Sequence, residues 1–346
     1  MPPPWAARAA LLPLRRLPTS WRRRHHTPTQ LPTAPVAAPV PREIGFVGLG
    51  NMGYNMAANL YAKTCADGGS RLTVYDTVPA ARERFVAQHP AARAAATSAD
   101  VLGAADVVVT MLPDGPALLA LLRAAGDALR RDTLLLDCST IDVAAVQAAV
   151  AFCADRGAHL VDAPVSGGVG GAQAGTLTFM VGAAASDGVL PRAAAVLAHM
   201  GQRILPCGAR GAGQVAKICN NLVLGITMLA VSEATALGLN HGLTPQVLAG
   251  IMNVSSGRSW VTEMYHPVPG VQPGSAASRG YTGGFGAKLM AKDLRLACEA
   301  AAQVGMPLPL GEPTRHYFDD VVRDPEYASL DFSAVYRYMM QRPKQP

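Results

Sequence analysis

The first 42 residues of this sequence contain no aspartate, no glutamate and no lysine, yet they contain seven arginines. An arginine-rich leader without acidic residues is typical of an organelle transit peptide. A secretory signal is disfavoured because the leader has no apolar run of sufficient length, and a basic arm that binds nucleic acid is the remaining alternative. The sequence therefore predicts a transit peptide and a disordered linker over residues 1–42.

The rest of the chain has no excess of basic residues. The formal net charge of the 346 residues is +6, but without the seven leader arginines 23 basic residues face 24 acidic ones. A nearly neutral folded part gives no reason to expect a nucleic-acid partner. Only 16% of the residues are charged and 50% are hydrophobic, which predicts a sizeable core.

Motifs that bind metal ions or form disulfide frameworks are lacking as well. The six cysteines include no Cys-x-x-Cys pair, and the eight histidines show no ligand spacing. Scattered cysteines in a chain of this length are typical of free thiols in a reducing compartment. The sequence therefore predicts no metal site.

A glycine-rich motif follows the first short apolar segment of the folded part, which starts at Glu43. In Gly-x-Gly-x-x-Gly the first glycine permits a tight turn, the second lets the backbone approach a pyrophosphate, and the third lets the next helix pack closely. The N-terminus of that helix would offer N–H groups to phosphate. The motif predicts six cofactor-binding residues: Gly48, Leu49, Gly50, Asn51, Met52 and Gly53.

A second predicted strand ends at Asp76, 23 residues after Gly53. A carboxylate at this spacing accepts hydrogen bonds from a ribose hydroxyl and repels a 2′-phosphate. The sequence therefore favours NAD over NADP. A turn residue at the end of a strand is the structural alternative for Asp76.

Short apolar strands and helical patterns alternate from residue 43 to residue 208. This alternation predicts a Rossmann-like, doubly wound and mostly parallel α/β sheet, in which ligands bind beyond the carboxyl ends of the strands. Ser166 and the N–H groups of Gly167 and Gly168 fall at such an end and could hold a carboxylate, although an ordinary glycine turn has the same spacing. Other residues predicted at these strand ends are Leu112, Pro113 and Thr140.

Strand patterns stop after Cys207, and residues 209–346 predict an all-helical second domain. Thr244 is a good N-cap for its second helix, with Pro245 at the first position. A loop rich in glycine, proline and serine is predicted from there to about Gly284.

The first helix of this domain is long and apolar, and a membrane span is disfavoured by polar residues near both ends. Lys217 and Asn221 lie one turn apart on one face of this helix. A lysine in apolar surroundings has a lowered pKa and can accept or donate a proton. A lysine that extends its amine to solvent is the structural alternative.

Four motifs in this order make the chain resemble the β-hydroxyacid dehydrogenase family. They lie at residues 48–53, 162–168, 208–221 and 292–294, and the resemblance covers residues 44–340. It implies a dinucleotide-binding domain over residues 43–208, a substrate and dimerisation domain over 209–346, and a homodimer or homotetramer. Among family members the resemblance is to enzymes of the mitochondrial matrix.

The resemblance also implies how the cofactor is held. The glycine motif and Asp76 would bind the adenosine and the pyrophosphate of NAD. Leu112, Pro113 and Thr140 would flank the nicotinamide half, and Lys292 would close over the cofactor. The related enzymes usually have an asparagine where this chain has Ala117, so we expect no side-chain contact to the cofactor from this position.

For the substrate, the resemblance implies a carboxylate bound by Ser166, Gly167 and Gly168. Lys217 would be the general base and acid, and Asn221 would orient the substrate. The implied reaction is the oxidation of 3-hydroxyisobutyrate to methylmalonate semialdehyde, with the hydride passing to NAD. Alternatives are family members that reduce tartronate or succinic semialdehyde, and a non-catalytic nucleotide-binding protein of the same fold.

Overall fold

A six-stranded parallel sheet forms the first half of this computed structural model, which describes residues 33–34, 38–65 and 68–341. The predicted transit peptide falls outside the described residues except at 33–34 and 38–42. The strands are β1 (Glu43–Val47), β2 (Arg71–Tyr75), β3 (Arg93–Ala94), β4 (Val107–Thr110), β5 (Leu134–Asp137) and β6 (His159–Asp162).

The strand order is β3-β2-β1-β4-β5-β6, and every neighbouring pair is parallel. The order reverses between β1 and β4, where a crevice forms at the carboxyl ends of the strands. The connecting helices are α1 (Asn51–Thr64), α2 (Pro79–Gln88), α3 (Ser98–Ala104), α4 (Gly115–Ala125) and α5 (Val143–Ala154). The predicted Rossmann-like fold is confirmed.

A second, three-stranded sheet follows β6. Its strands are β7 (Val165–Ser166), β8 (Leu177–Val181) and β9 (Gly201–Pro206). The helices that connect them are α6 (Gly168–Ala174) and α7 (Leu190–Leu197). β8 pairs antiparallel with β7 and parallel with β9. The sequence pattern predicted that these strands continue the first sheet. That expectation was wrong, because an apolar pattern shows that a strand is buried but not which strand it pairs with.

The central strands β4 and β5 are buried along their whole length because helices cover both faces of the sheet. All four residues of β4 and of β5 are buried. Phe46 of β1 packs with Met56 and Leu60 of α1 on one face. Val108 and Leu135 pack with α3, α4 and α5 on the other face.

The second half of the chain is helical, as predicted. Its elements are α8 (Ala212–Asn240), α9 (Pro245–Val254), α10 (Trp260–Met264), α11 (Ala287–Gln303), α12 (Gly311–Arg323) and α13 (Val335–Gln341). Thr244 caps α9 through its hydroxyl, as its position before Pro245 predicted. α10 lies in a segment predicted as loop, where a capping box of Ser259 and Thr262 starts one short helix.

Helix α8 is the central element of this half and packs against α11, α12 and α13. In the part of the chain that the structure describes, it is the one helix long and apolar enough to cross a membrane, with a mean hydropathy of 1.8 in its most apolar window. Its buried face is nevertheless partly polar, as in a helix that contacts other protein elements. The buried polar side chains of α8 are Gln214, Lys217, Asn221, Ser232 and Thr235.

We expect the Leu136→Ala substitution in β5 to lower the free energy of unfolding by about 2–5 kcal/mol, because this fully buried side chain would leave a cavity. Leu310→Ala is the matched control, since that leucine is 64% exposed and its loss should cost about 0.5 kcal/mol or less. Urea unfolding followed by far-UV circular dichroism measures both. Equal losses in the two variants would contradict the placement of Leu136 in the core.

Candidate active site

The glycine turn between β1 and α1 has the geometry that the motif predicted. Gly48 has a φ of +96° and donates a hydrogen bond from N to O of Tyr75, over 2.9 Å. A Cβ on Gly53 would lie 1.9 Å from O of Gly48, so only glycine lets α1 start this close to the turn. A Cβ on Gly50 would meet nothing within 4 Å, because this glycine faces open space.

Asp76 lies at the end of β2 and is hydrogen-bonded to the glycine turn. Its Oδ2 accepts from N of Leu49 over 2.6 Å, and its Oδ1 accepts from N of Val78 over 2.8 Å. A carboxylate has about four lone-pair sites, so two acceptor sites remain. The structure therefore fixes the orientation of this side chain beside the turn and leaves it able to accept further hydrogen bonds.

The space in front of Gly50 is an open cavity. Gly50 and Asn51 line a cavity of about 440 Å³, together with Val169 and Gly283 from other parts of the chain. No side chain caps α1 at Gly50, so the N–H groups of the first turn stay available to an anion. Met52 lies within this first turn and packs against the main core.

Lys292 of α11 joins the helical half to the ends of two strands. Its Nζ donates to O of Thr140 over 2.5 Å and lies 3.5 Å from O of Pro113. N of Leu112 donates to Oγ of Ser139 over 2.8 Å, which holds the β4 and β5 ends together. The structure therefore brings Lys292 together with Pro113 and Thr140, two of the three residues that the sequence predicted to flank the nicotinamide half, and Leu112 precedes Pro113 in the chain.

Lys217 and Asn221 are both buried on the same face of α8, at 8% and 1% exposure. Nδ2 of Asn221 donates to Oδ2 of Asp293 on α11, whose Oδ1 lies 3.4 Å from Nζ of Lys292. Burial lowers the pKa of the Lys217 amine, Asp293 opposes this effect, and Lys292 adds to it. A lysine with a lowered pKa is suited to proton transfer near neutral pH. The alternative of an amine that extends to solvent is wrong.

The predicted carboxylate-binding residues follow β6. Ser166 is half-buried and pairs with Thr178 of β8. Gly167 and Gly168 have φ values of +136° and +62°, which an L side chain rarely adopts. The next residue, Val169, lines the same cavity as Gly50. The loop therefore lies at the cavity that the glycine turn opens into.

Three buried polar residues of the site received no role from the sequence. Gln214 and Asp162 hold the start of α8, and Asp293 binds Asn221. All three lie inside the motifs at residues 162–168, 208–221 and 292–294. The sequence shows that these residues belong to the motifs, but a motif does not show which side chain contacts protein and which contacts ligand.

Ala117 lies in the first turn of α4, where its N donates to Oδ1 of Asp114 over 2.9 Å. The expectation that its side chain makes no cofactor contact stays a prediction. Within the described residues no group of histidine, cysteine and carboxylate side chains could hold a metal ion.

Comparisons with known proteins agree with this geometry. A model described as the NAD binding domain of 6-phosphogluconate dehydrogenase matches residues 43–208, and one described as NAD-binding of NADP-dependent 3-hydroxyisobutyrate dehydrogenase matches residues 211–339. The probable mitochondrial 3-hydroxyisobutyrate dehydrogenase of Dictyostelium discoideum is 45% identical over 86% of this chain and 91% of that protein. The chain belongs to the 3-hydroxyisobutyrate dehydrogenase family.

Other members of the 3-hydroxyisobutyrate dehydrogenase family cover the chain equally well. The Pseudomonas aeruginosa enzyme of that name is 45% identical over 85% of this chain and 97% of its own. The structure of the Mycobacterium tuberculosis 3-hydroxyisobutyrate dehydrogenase with L-serine has a TM-score of 0.79 at 39% identity, and the match covers 86% of this chain and 99% of that one. The resemblance seen in the sequence motifs is confirmed, and the protein is an oxidoreductase that binds a nicotinamide dinucleotide.

We expect the amine of Lys217 to titrate below 10.5, the ordinary value for lysine, because burial disfavours its charged form. Competitive acetylation of the free protein across a pH series, with peptide mass analysis, gives this pKa without turnover. The same measurement in 8 M urea is the control and should return the ordinary value. A midpoint that is unchanged between folded and unfolded protein would contradict the burial of the amine.

Proposed function

We propose that this protein oxidises 3-hydroxyisobutyrate to methylmalonate semialdehyde with NAD, in the breakdown of valine. The observation that carries the proposal is the buried pair of Lys217 and Asn221 on α8, joined through Asp293 and Lys292 to the strand end at Thr140. This arrangement supports a proton-transferring amine at the crevice where this fold binds its ligands. The names of the family members support the choice of substrate.

The roles of the site residues follow from this arrangement. Bound NAD supplies the hydride acceptor. Lys217 accepts the hydroxyl proton of the substrate in oxidation and returns it in reduction, while Asn221 orients the reacting group. Ser166 binds the substrate carboxylate with the N–H groups of Gly167 and Gly168. These contacts fix the alcohol carbon for transfer, which lowers the entropic part of the barrier.

Asp76 supports NAD as the cofactor in preference to NADP. Its carboxylate is held at the glycine turn by N of Leu49 and N of Val78, with acceptor sites left for a ribose hydroxyl. A fixed negative charge at this position repels a 2′-phosphate. Lys292, whose amine contacts the strand ends at Pro113 and Thr140, would close over the cofactor.

The cellular setting is also part of the proposal. The acid-free, arginine-rich leader over residues 1–42 supports import into the mitochondrial matrix, and the Dictyostelium relative carries the mitochondrial name. We assign residues 43–208 to cofactor binding and residues 209–346 to substrate binding and dimerisation. Exposed apolar residues on α8 support a homodimer or homotetramer, among them Val215, Val223 and Leu237.

A substrate panel tests the function. Wild-type protein with NAD should oxidise 3-hydroxyisobutyrate with a higher kcat/KM than it shows for glycerate or 4-hydroxybutyrate, the alcohols that correspond to the alternative semialdehydes. Lys217→Ala should lower kcat by about 10²–10⁴-fold because it removes the general base. Lys288→Ala removes an exposed lysine of α11 and serves as the control. Preference for another alcohol would replace the proposed substrate, and near-full activity of Lys217→Ala would refute the mechanism.

For the cofactor, we expect Asp76→Ala to reduce the ratio of kcat/KM for NAD over NADP by about 10-fold or more, since the charge that repels the 2′-phosphate is lost. Steady-state kinetics with both cofactors measure this ratio. Asp114→Ala, which removes a helix cap on α4, is the control with unchanged preference. An unaltered ratio in Asp76→Ala would remove this residue from the cofactor site.

A further inference from the structure

Helix α8 begins without a capping side chain of its own. Its N-cap residue is Gly211, which has a φ of +91° and no side chain to offer. Lys217 is the sixth residue of the helix, so the position of its amine depends on where the first turn lies. The N–H groups of a helix start need acceptors, and a buried start without them is costly.

A carboxylate from another element supplies these acceptors. Asp162, the last residue of β6, is fully buried, and its Oδ1 accepts from N of Gly211 over 2.7 Å. Its Oδ2 accepts from N of Gln214 over 2.9 Å. These are the N-cap and N3 positions of α8, where a negative charge also interacts favourably with the helix dipole. Arg210 and Asp137 are charged groups that interact with this carboxylate.

Two glycines lie so close to this carboxylate that a side chain on either one would clash with it. A Cβ on Gly182 would lie 1.9 Å from Oδ1 of Asp162. A Cβ on Gly213, in the first turn of α8, would lie 2.8 Å from Oδ2 of Asp162 and 2.3 Å from O of Met180. Gly213 therefore lets the start of α8 approach Asp162.

A second side chain fixes the same turn to the neighbouring strand. Nε2 of Gln214 donates to O of Ser139 over 2.7 Å, and its Oε1 accepts from N of Ile141 over 3.2 Å. Both partners flank Thr140, the residue that Lys292 binds. Asp162 itself lies four residues before Ser166 along the chain. The first turn of α8 is thus fixed to the ends of β5 and β6.

We propose that Asp162 is a positioning residue of the reaction, which holds the amine of Lys217 in place relative to the substrate loop at Ser166–Gly168 by capping α8 from β6. This inference rests on the proposed function for the role of Lys217. A displacement of about 1 Å at a reacting group can lower a rate about 10²-fold. The hydrogen bonds of Asp162 therefore contribute to turnover as well as to stability.

Asp162→Asn tests the proposal, because the amide keeps one acceptor and turns an NH₂ group toward the other N–H of α8. We expect kcat to fall about 10- to 100-fold. The dissociation constant for NAD, measured by equilibrium dialysis, should stay within about threefold, since the glycine turn and Asp76 belong to other elements. The midpoint for acetylation of Lys217 should rise toward 10.5, because the displaced amine is less buried beside Asp293 and Lys292.

Gly213→Ala is the second variant, and it decides the question if Asp162→Asn does not fold. It keeps the carboxylate but pushes the first turn of α8 away from it. Like Asp162→Asn, it should therefore lower kcat and raise the midpoint for acetylation of Lys217. The controls are Thr97→Ala, which removes the cap of α3, and Gly250→Ala in α9, where a Cβ meets nothing within 4 Å. Both controls should keep the wild-type kcat.

The proposal is overturned if Asp162→Asn or Gly213→Ala lowers the melting temperature but leaves kcat and the Lys217 midpoint at their wild-type values. The acetylation measurement needs no turnover, so it separates this outcome from a failure of the proposed function. If wild-type protein does not oxidise 3-hydroxyisobutyrate, the function is wrong. The position of Lys217 is then still tested by the midpoint for acetylation of its amine in Asp162→Asn and Gly213→Ala.

Discussion

A buried carboxylate holds the first turn of a 29-residue helix against the edge of a parallel sheet. The carboxylate belongs to Asp162 at the end of β6. It accepts hydrogen bonds from N–H groups at the start of α8. Lys217 and Asn221 are the sixth and tenth residues of the helix that begins at this attachment. The apolar surface of α8 gives the helix its burial in the bundle. The hydrogen bonds at its start add a directional constraint.

A second attachment to the strand ends comes from α11. Lys292 extends from α11 to the carbonyl groups of Pro113 and Thr140, and its neighbour Asp293 binds Asn221. The two halves of the site therefore share a continuous set of polar contacts instead of meeting across an open gap. Buried polar groups are costly unless they are paired, so this set defines one arrangement of α8 and α11 at the strand ends.

The sequence predicted most of the fold because local signals agreed with one another. The glycine motif lay between a strand pattern and a helix pattern, and the long apolar run from residue 212 to residue 240 had the length of a single helix. Helix α9 was predicted with its cap because Thr244 and Pro245 are both local signals. β8 and β9 were placed in the wrong sheet, since strand pairing depends on contacts between residues far apart in the chain. α10 was missed because five residues are too few for a periodic pattern.

The sequence by itself determined which residues are the candidates for binding and catalysis. It pointed to Lys217, to Asp76 and to the glycine turn, because glycine, lysine and carboxylate have properties at these spacings that few other residues share. Only the tertiary structure decided which polar groups support them. Asp162 and Gln214 are 52 residues apart in the chain, yet one binds the backbone of the other. Such a pairing follows from how β6 and α8 pack, and no local pattern encodes the distance between two elements in space.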